Sequence, residues 1–167
     1  MGVVEAVHMK RKSAVSWVLF VSLCLLSACG GGAAKEPEFQ SVVGAIDEAI
    51  GNTGDMIAMD ADYIFGALKM DESTYAEGCV KINAYGANVD EYGVFRGEDA
   101  EQAKAIKQAI EAYFKFRVDT WMEAYMPEEK PKVISAELRT EGNYVCYAIL
   151  DPEQKEAVFE AFGNCFK

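Results

Sequence analysis

The sequence contains a single histidine, His8, which lies in a segment that we expect to be removed. Without an imidazole, neither a Ser-His-Asp nor a Cys-His catalytic set can form, and a histidine-based zinc or iron site is excluded as well. The sequence also lacks a Cys-x-x-Cys pair, so it has no thioredoxin-like redox motif. We therefore predict no catalytic residue, no metal site and no cofactor.

Positively charged residues are in the minority, because 16 Lys and Arg stand against 27 Asp and Glu, for a net charge of −11. Contact with phosphates requires clustered Lys and Arg, so we predict no nucleic-acid partner. The apolar fraction of 51% is too high for a chain that is disordered throughout, and 167 residues are enough for one domain.

The first apolar run is too short for a transmembrane helix, which needs about 20 residues. It covers 13 positions, residues 14–26, and only two serines interrupt it. A basic cluster at residues 10–12 precedes it and small residues at 27–28 follow it. This order is typical of a secretory signal, so we predict a signal peptide over residues 1–28, with Met9 as an alternative start.

Residues 26–29 read Leu-Ser-Ala-Cys and three glycines follow, a pattern that resembles the lipobox of bacterial lipoproteins. The resemblance implies cleavage between Ala28 and Cys29 and attachment of diacylglycerol to the Cys29 thiol. Each buried CH₂ of an acyl chain such as palmitate contributes about 0.8 kcal/mol, so two or more chains hold a protein stably in a membrane. We therefore predict membrane lipid as a partner through Cys29, and a location on the extracytoplasmic face of the cell membrane.

Cleavage would leave a flexible glycine-rich tether, residues 29–37, followed by one domain over residues 38–167. It would also remove three basic residues and one acid, which changes the net charge from −11 to −13. This charge is compatible with a basic partner. Because the acids are scattered rather than gathered in one run, a solvated surface explains them more simply.

Apolar residues recur at helical spacing in residues 39–50, in a short segment after Asp60 and in residues 99–126. The spacing predicts a helix that ends at Gly51, a short helix capped by Asp60, and a long helix that Pro127 stops. A last helix is expected after Asp151-Pro152, with the aspartate as its cap.

The apolar period changes to two in residues 78–95 and again in residues 133–150, and each segment is interrupted by a Gly/Asn turn. This predicts two hairpins, with residues 144–150 as a central strand because both of its faces are apolar. The predicted fold class is α+β, a mainly antiparallel four-stranded sheet from two hairpins with helices on one face. The expected order is helix, helix, hairpin, long helix, hairpin, helix.

Three cysteines remain after the lipidated one: Cys79, Cys146 and Cys165. Export permits a disulfide between two of them. The first two lie in strand-like runs, where a free thiol in the core is the simpler interpretation.

Three blocks stand in a familiar order: Asp-Glu-Tyr-Gly-Val-Phe at residues 90–95, Ala-Tyr-Met-Pro-Glu-Glu at 124–129, and Glu-Gly-Asn-Tyr-Val at 141–145. Together they resemble the bacterial lipoprotein family called domain of unknown function 4358, over residues 39–162. The resemblance implies a short, exported and lipid-anchored protein. It carries over no catalytic residue, because no activity or ligand is established for the family.

The sequence contains few candidates for a binding or catalytic site. Asp60 and Asp62 are better explained as the start of a helix than as cation ligands, because the spacing of a calcium loop is missing. Glu128-Glu129 is a carboxylate pair at a predicted turn. The residues we propose for a surface contact are Phe116, which lies off the apolar stripe of the long helix, and Asn143 and Tyr144, at a hairpin turn.

These observations favour a non-enzymatic binding or assembly module at the cell envelope, whose partner is an envelope protein or a wall polymer. The alternative is an envelope hydrolase that uses carboxylates alone, for example the pair at residues 128–129. Such an enzyme requires two carboxyl groups within about 5–10 Å of each other in a cleft.

Overall fold

A computed structural model describes residues 36–51, 55–86 and 88–167. The predicted signal peptide, its cleavage site at Ala28 and Cys29, and all but the last two residues of the predicted tether lie outside this part of the chain. The described residues form an α+β domain with the helices α1 (Phe39–Ile50), α2 (Ala61–Leu68), α3 (Ala100–Asp119), α4 (Lys130–Ile134) and α5 (Pro152–Asn164). Its strands are β1 (Met56–Ala58), β2 (Glu77–Asn83), β3 (Glu91–Arg96), β4 (Glu137–Glu141) and β5 (Tyr144–Ile149).

The five strands form one sheet in the order β1-β2-β3-β5-β4, and every neighbouring pair is antiparallel. Both predicted hairpins are confirmed, as β2-β3 and as β4-β5. The central place predicted for residues 144–150 is also confirmed, because β5 pairs with β3 on one side and with β4 on the other. Its six residues are all buried.

Helices cover both faces of this sheet, so the prediction of one covered face is wrong. Helices α1 and α5 pack on one face, and α2, α3 and α4 pack on the other. The physical reason is that β3 and β5 send apolar side chains to both sides. Tyr92 and Cys146 lie in the α1/α5 core, whereas Phe95 and Val145 lie in the α3 core.

The predicted helix ends are partly confirmed. Asp60 caps α2 by accepting a hydrogen bond from the Tyr63 N–H at 2.9 Å, and Asp99 caps α3 by accepting one from Gln102 N–H at 2.9 Å. Gly51 follows α1 with a φ of 78°, a conformation that glycine adopts without strain. Asp151 precedes α5, but its side chain makes no capping hydrogen bond, so that part of the prediction is wrong.

Helix α3 ends at Asp119, well before the predicted end at Met126, so Pro127 does not stop it. The Thr120 hydroxyl donates to the Phe116 carbonyl at 2.8 Å, and the Thr120 N–H donates to the same oxygen at 3.0 Å. The N–H bond is the last regular helical one, and the additional hydroxyl bond to the same carbonyl is of a kind that slightly destabilises and bends a helix. Trp121 lies in the loop after α3, but its side chain packs on the α3 core. It therefore continues the helical spacing of apolar residues in the sequence without belonging to the helix.

Two elements were not predicted from the sequence. The alternation placed residues 133–136 in the first strand of the second hairpin, and this part of the prediction is wrong. Residues 130–134 form helix α4 with Pro131 in its first turn, and the strand begins only at Glu137. Strand β1 makes the sheet five-stranded rather than four-stranded, because Ile57 lies opposite Ile82 of β2. Three residues are too few to show an alternating pattern.

The cysteines within the described ranges are all free. Cys79 and Cys146 both lie opposite Val94, on the two strands that flank β3. Two strand spacings of about 4.8 Å separate them by roughly 10 Å, beyond the Cα separation of about 7 Å that a disulfide spans. Burial raises the pKa of the Cys146 thiol well above its ordinary value, which makes it an inert core residue.

None of the helices in the described ranges combines the length and the apolarity that a membrane crossing requires.

Candidate functional site: a buried carboxylate beneath an exposed loop

The residues proposed for surface contact lie in different parts of the domain. Phe116 on α3 is 60% exposed, as a contact residue must be. Asn143 is half-buried in the β4-β5 turn, and its carbonyl accepts the Gly97 N–H at 2.9 Å. Tyr144 is only 1% exposed and its ring lies in the α1/α5 core, so its prediction as a surface contact is wrong.

The first residue of β3, Glu91, is a buried carboxylate on the α3 face of the sheet. Tyr147 Oη donates to its Oε1 at 2.6 Å, and Tyr113 Oη donates to its Oε2 at 2.9 Å. Arg117 Nη1 donates to the same Oε2 at 3.0 Å and to Tyr113 Oη at 2.6 Å. These four residues, the Glu91 cluster, join β3, β5 and α3 through charge-assisted hydrogen bonds.

Secondary structure explains how these side chains meet. Residues 113 and 117 are four apart on α3 and therefore share one face of the helix. Gly93 brings Tyr147 close to β3, because it lies opposite this tyrosine and its missing side chain leaves room for the ring. The result is a buried anion with a cation and two neutral donors around it, which is how a buried charge is tolerated.

The environment holds both tyrosines in their neutral form. Burial, and then the negative charge of Glu91, raise the pKa of Tyr147 well above its ordinary value. The same two causes raise the pKa of Tyr113, and the charge of Arg117 opposes them. The phenols therefore serve as permanent donors to the carboxylate.

We expect the free energy of unfolding to fall as the pH rises above about 10, the ordinary pKa of tyrosine. The unfolded chain loses the phenolic protons near that pH, whereas the folded chain keeps them on Tyr113 and Tyr147. The stabilisation is therefore complete below pH ~10 and is lost as the pH rises towards the folded-state pKa. Urea unfolding at alkaline pH measures this decline. Tyr147→Phe should flatten it, and an unchanged slope would contradict the assignment.

A second group of charges lies next to the Glu91 cluster. Lys132 Nζ lies 2.8 Å from Asp90 Oδ1, 3.1 Å from Glu129 Oε2 and 3.4 Å from Asp151 Oδ2. Burial opposes the charge on this lysine, but its hydrogen bonds with Asp90 and Glu129 raise its pKa above the ordinary value. Asp151 contacts Lys132 and makes no capping hydrogen bond to α5.

These contacts also place the carboxylate pair at residues 128–129. Glu129 Oε2 accepts the Val89 N–H at 3.1 Å and pairs with Lys132, whereas Glu128 is exposed. Glu129 thus ties the segment after α3 to the start of β3. The hydrolase alternative stays a prediction, without a specific contact that favours it.

Residues 121–129, between α3 and α4, form a loop that is mostly exposed and that presents large apolar side chains. Met122 is 68% exposed and Tyr125 is 55% exposed. Met126 has a φ of 45°, a region that non-glycine residues rarely adopt and that costs about 1–3 kcal/mol. This 121–129 loop therefore combines exposed apolar side chains with backbone strain, held down by Glu129.

Trp121 begins this loop, and its Nε1 is buried without a hydrogen-bond partner. We expect Trp121→Phe to leave the free energy of unfolding unchanged or to raise it by up to about 1 kcal/mol, because the variant removes an unsatisfied buried donor. Trp121→Ala should instead cost about 2 kcal/mol through lost apolar contact. Urea unfolding of both variants distinguishes the two effects. An equal loss for both would mean that the indole N–H is satisfied.

On the face of the sheet that α1 and α5 cover, polar contacts hold a helix against the strands. Asp47 of α1 accepts from Tyr92 Oη at 2.6 Å and pairs with Lys81 Nζ at 2.7 Å, which fixes α1 on β2 and β3.

Among residues 36–51, 55–86 and 88–167, no group of three or more His, Cys, Asp and Glu side chains is arranged to hold a metal ion.

Sequence reasoning missed the Glu91 cluster. The available signal was a glutamate at the start of the apolar run Tyr92-Gly93-Val94-Phe95, since an acid so placed requires partners. The three donors come from residues 113, 117 and 147, and only the fold brings them to one point.

Fold and site together define a class of protein: an antiparallel α+β domain with helices on both faces of its sheet and a buried, fully paired carboxylate beneath an exposed loop. Within that class, the chain belongs to the family described as domain of unknown function (DUF4358), whose model matches residues 48–150. The match spans all five strands and the three helices of the α3 face, and it confirms the family expected from the sequence blocks. Neither the curated proteins nor the solved structures contain a significant match to this chain.

Proposed function

We propose that this protein is a lipoprotein anchored through Cys29, and that it acts as a non-enzymatic binding or assembly module on the extracytoplasmic face of the membrane. Its partner is an envelope protein or a wall polymer, and a signal peptide over residues 1–28 directs its export. The support for the anchor is the lipobox-like sequence at residues 26–29.

One observation supports the binding role. The hydrogen bonds of the buried Glu91 carboxylate, near the 121–129 loop, are made to other residues of the domain. Both oxygens of Glu91 accept hydrogen bonds from Tyr113, Tyr147 or Arg117. Glu129 is likewise engaged by Val89 and Lys132. Acids paired in this way make a support rigid, and they favour a platform for contacts over a centre that exchanges protons with a substrate.

Membrane fractionation of a Cys29→Ala variant tests the anchor. We expect the wild type in the membrane fraction and the variant outside it or unprocessed, because the acyl chains supply the membrane affinity. Cys165→Ala is the matched control, since it removes a half-buried thiol far along the chain. Retention of both variants in the membrane fraction, with no lipid mass on the Cys29 peptide of the wild type, would contradict the proposal.

A further inference from the structure

The described domain has two distinct ends along the direction of its central strands. The first described residues lie at one end, where Tyr144 Oη donates to the Pro37 carbonyl at 2.7 Å and Gly142 lies beside Glu36. Arg96, the last residue of β3, lies opposite Tyr144 in the sheet and therefore belongs to the same end. Glu36 and Pro37 are the last two residues of the predicted tether, so the tether would enter the domain at this end.

The 121–129 loop lies at the other end. Helix α3 begins just after β3, runs back along the sheet for 20 residues, and reaches Glu91 only through its last turns. At about 1.5 Å per residue the helix spans about 30 Å. Glu129 then fixes the loop to Val89, immediately before the start of β3. The loop is thus separated from the point where the tether joins by the length of the domain.

We propose that the exposed side chains of the 121–129 loop, above all Met122 and Tyr125, form the contact surface for a protein partner in the envelope. The partner presents an apolar cleft rimmed by Lys and Arg side chains. This inference rests on the proposed lipid anchor, because the tether would enter the domain at the end opposite the loop and so leave the loop accessible to a partner.

The chemistry of the loop carries the choice of partner. Met122 and Tyr125 expose apolar surface on a strained backbone, and an aromatic and a methionine of this kind are typical of the core of a protein interface. The exposed carboxylate of Glu128 lies in the same loop, whereas the carboxylate of Glu123 is paired with Lys130 Nζ. The mature chain carries a net charge of −13 after the loss of three basic residues and one acid from −11. A basic rim on the partner complements that charge, whereas an anionic lipid surface repels it.

Site-specific photocrosslinking on the full-length protein in its own membranes tests this surface. The photoreactive residue replaces Met122 or Tyr125 in turn, and Phe65 of α2, also exposed, is the matched control position. The crosslinked peptides are then identified by mass spectrometry. We expect protein adducts from positions 122 and 125 that map to an apolar segment of the partner with neighbouring Lys or Arg, and a yield at least several-fold above that from position 65.

A charge exchange completes the test. Glu128→Lys should lower the adduct yield by about two- to fivefold. Glu156→Lys on α5, at an exposed position, changes the net charge equally and should leave the yield unchanged. Adducts with lipid or with a second copy of this chain, a yield no higher than at position 65, or equal effects of the two charge variants would overturn the inference. Fractionation of the same samples reports separately whether the anchor exists.

Discussion

Replacing Glu91 with alanine is expected to lower the free energy of unfolding by about 3–5 kcal/mol, measured by urea unfolding at neutral pH. The substitution leaves Arg117 as a half-buried cation without its carboxylate partner, and it removes the acceptor of the buried Tyr113 and Tyr147 hydroxyls. An uncompensated buried charge is far more costly than the net contribution of an intact pair.

Two controls separate this effect from a simple loss of volume. Glu91→Gln keeps the shape and one acceptor oxygen, so its loss should be clearly smaller than that of the alanine variant. A double-mutant cycle with Arg117→Met should show a favourable coupling energy, because each residue is the other's partner. A loss below about 1 kcal/mol for Glu91→Ala, or independent effects in the cycle, would mean that the cluster does not stabilise the domain.

Gly93→Ala should destabilise the domain by about 3 kcal/mol or more, or prevent it from folding. A Cβ built on Gly93 lies 2.2 Å from the ring of Tyr147, which is too close for any real contact. The ring is fully buried and donates to Glu91, so it moves only by repacking the core and breaking that hydrogen bond.

Gly44→Ala is the matched control for this substitution, since it adds the same methyl group to a different glycine. Gly44 lies within α1, and nothing lies within 4 Å of the added Cβ. Alanine should therefore stabilise the helix by about 0.5–1 kcal/mol, because it restricts the unfolded chain more than glycine does. Similar thermal unfolding of the two variants would contradict the close contact between Gly93 and Tyr147.

Local signals in the sequence were sufficient for much of the fold. The alternation in residues 78–95 and 133–150 predicted both hairpins, and the short polar residues Asp60 and Asp99 marked the starts of α2 and α3. Periodicity failed where a side chain packs on the core without belonging to the regular element. Trp121 extended the apparent helix in this way, whereas α3 ends at Asp119 and Trp121 lies in the loop that follows.

The candidate site was less accessible, because its parts are distant in sequence. Phe116 was correctly expected to be exposed, since it lies off the apolar stripe of α3, but Tyr144 was placed on the surface when its ring is in the core. A turn residue such as Gly142 indicates where the chain bends. It does not show whether the residues beside the turn are exposed or are covered by other parts of the fold. The apolar exposure of Met122 and Tyr125 follows from the early end of α3, which the helical pattern had concealed.

The central claim, that Cys29 is acylated, is tested most directly by the mass of its tryptic peptide from the purified membrane protein. Trypsin cuts after Lys35, and the proposal predicts a peptide of residues 29–35 that begins at Cys29 and carries the mass of a diacylglyceryl group. An unmodified peptide that spans residues 13–35, with the bond between Ala28 and Cys29 intact, would contradict it.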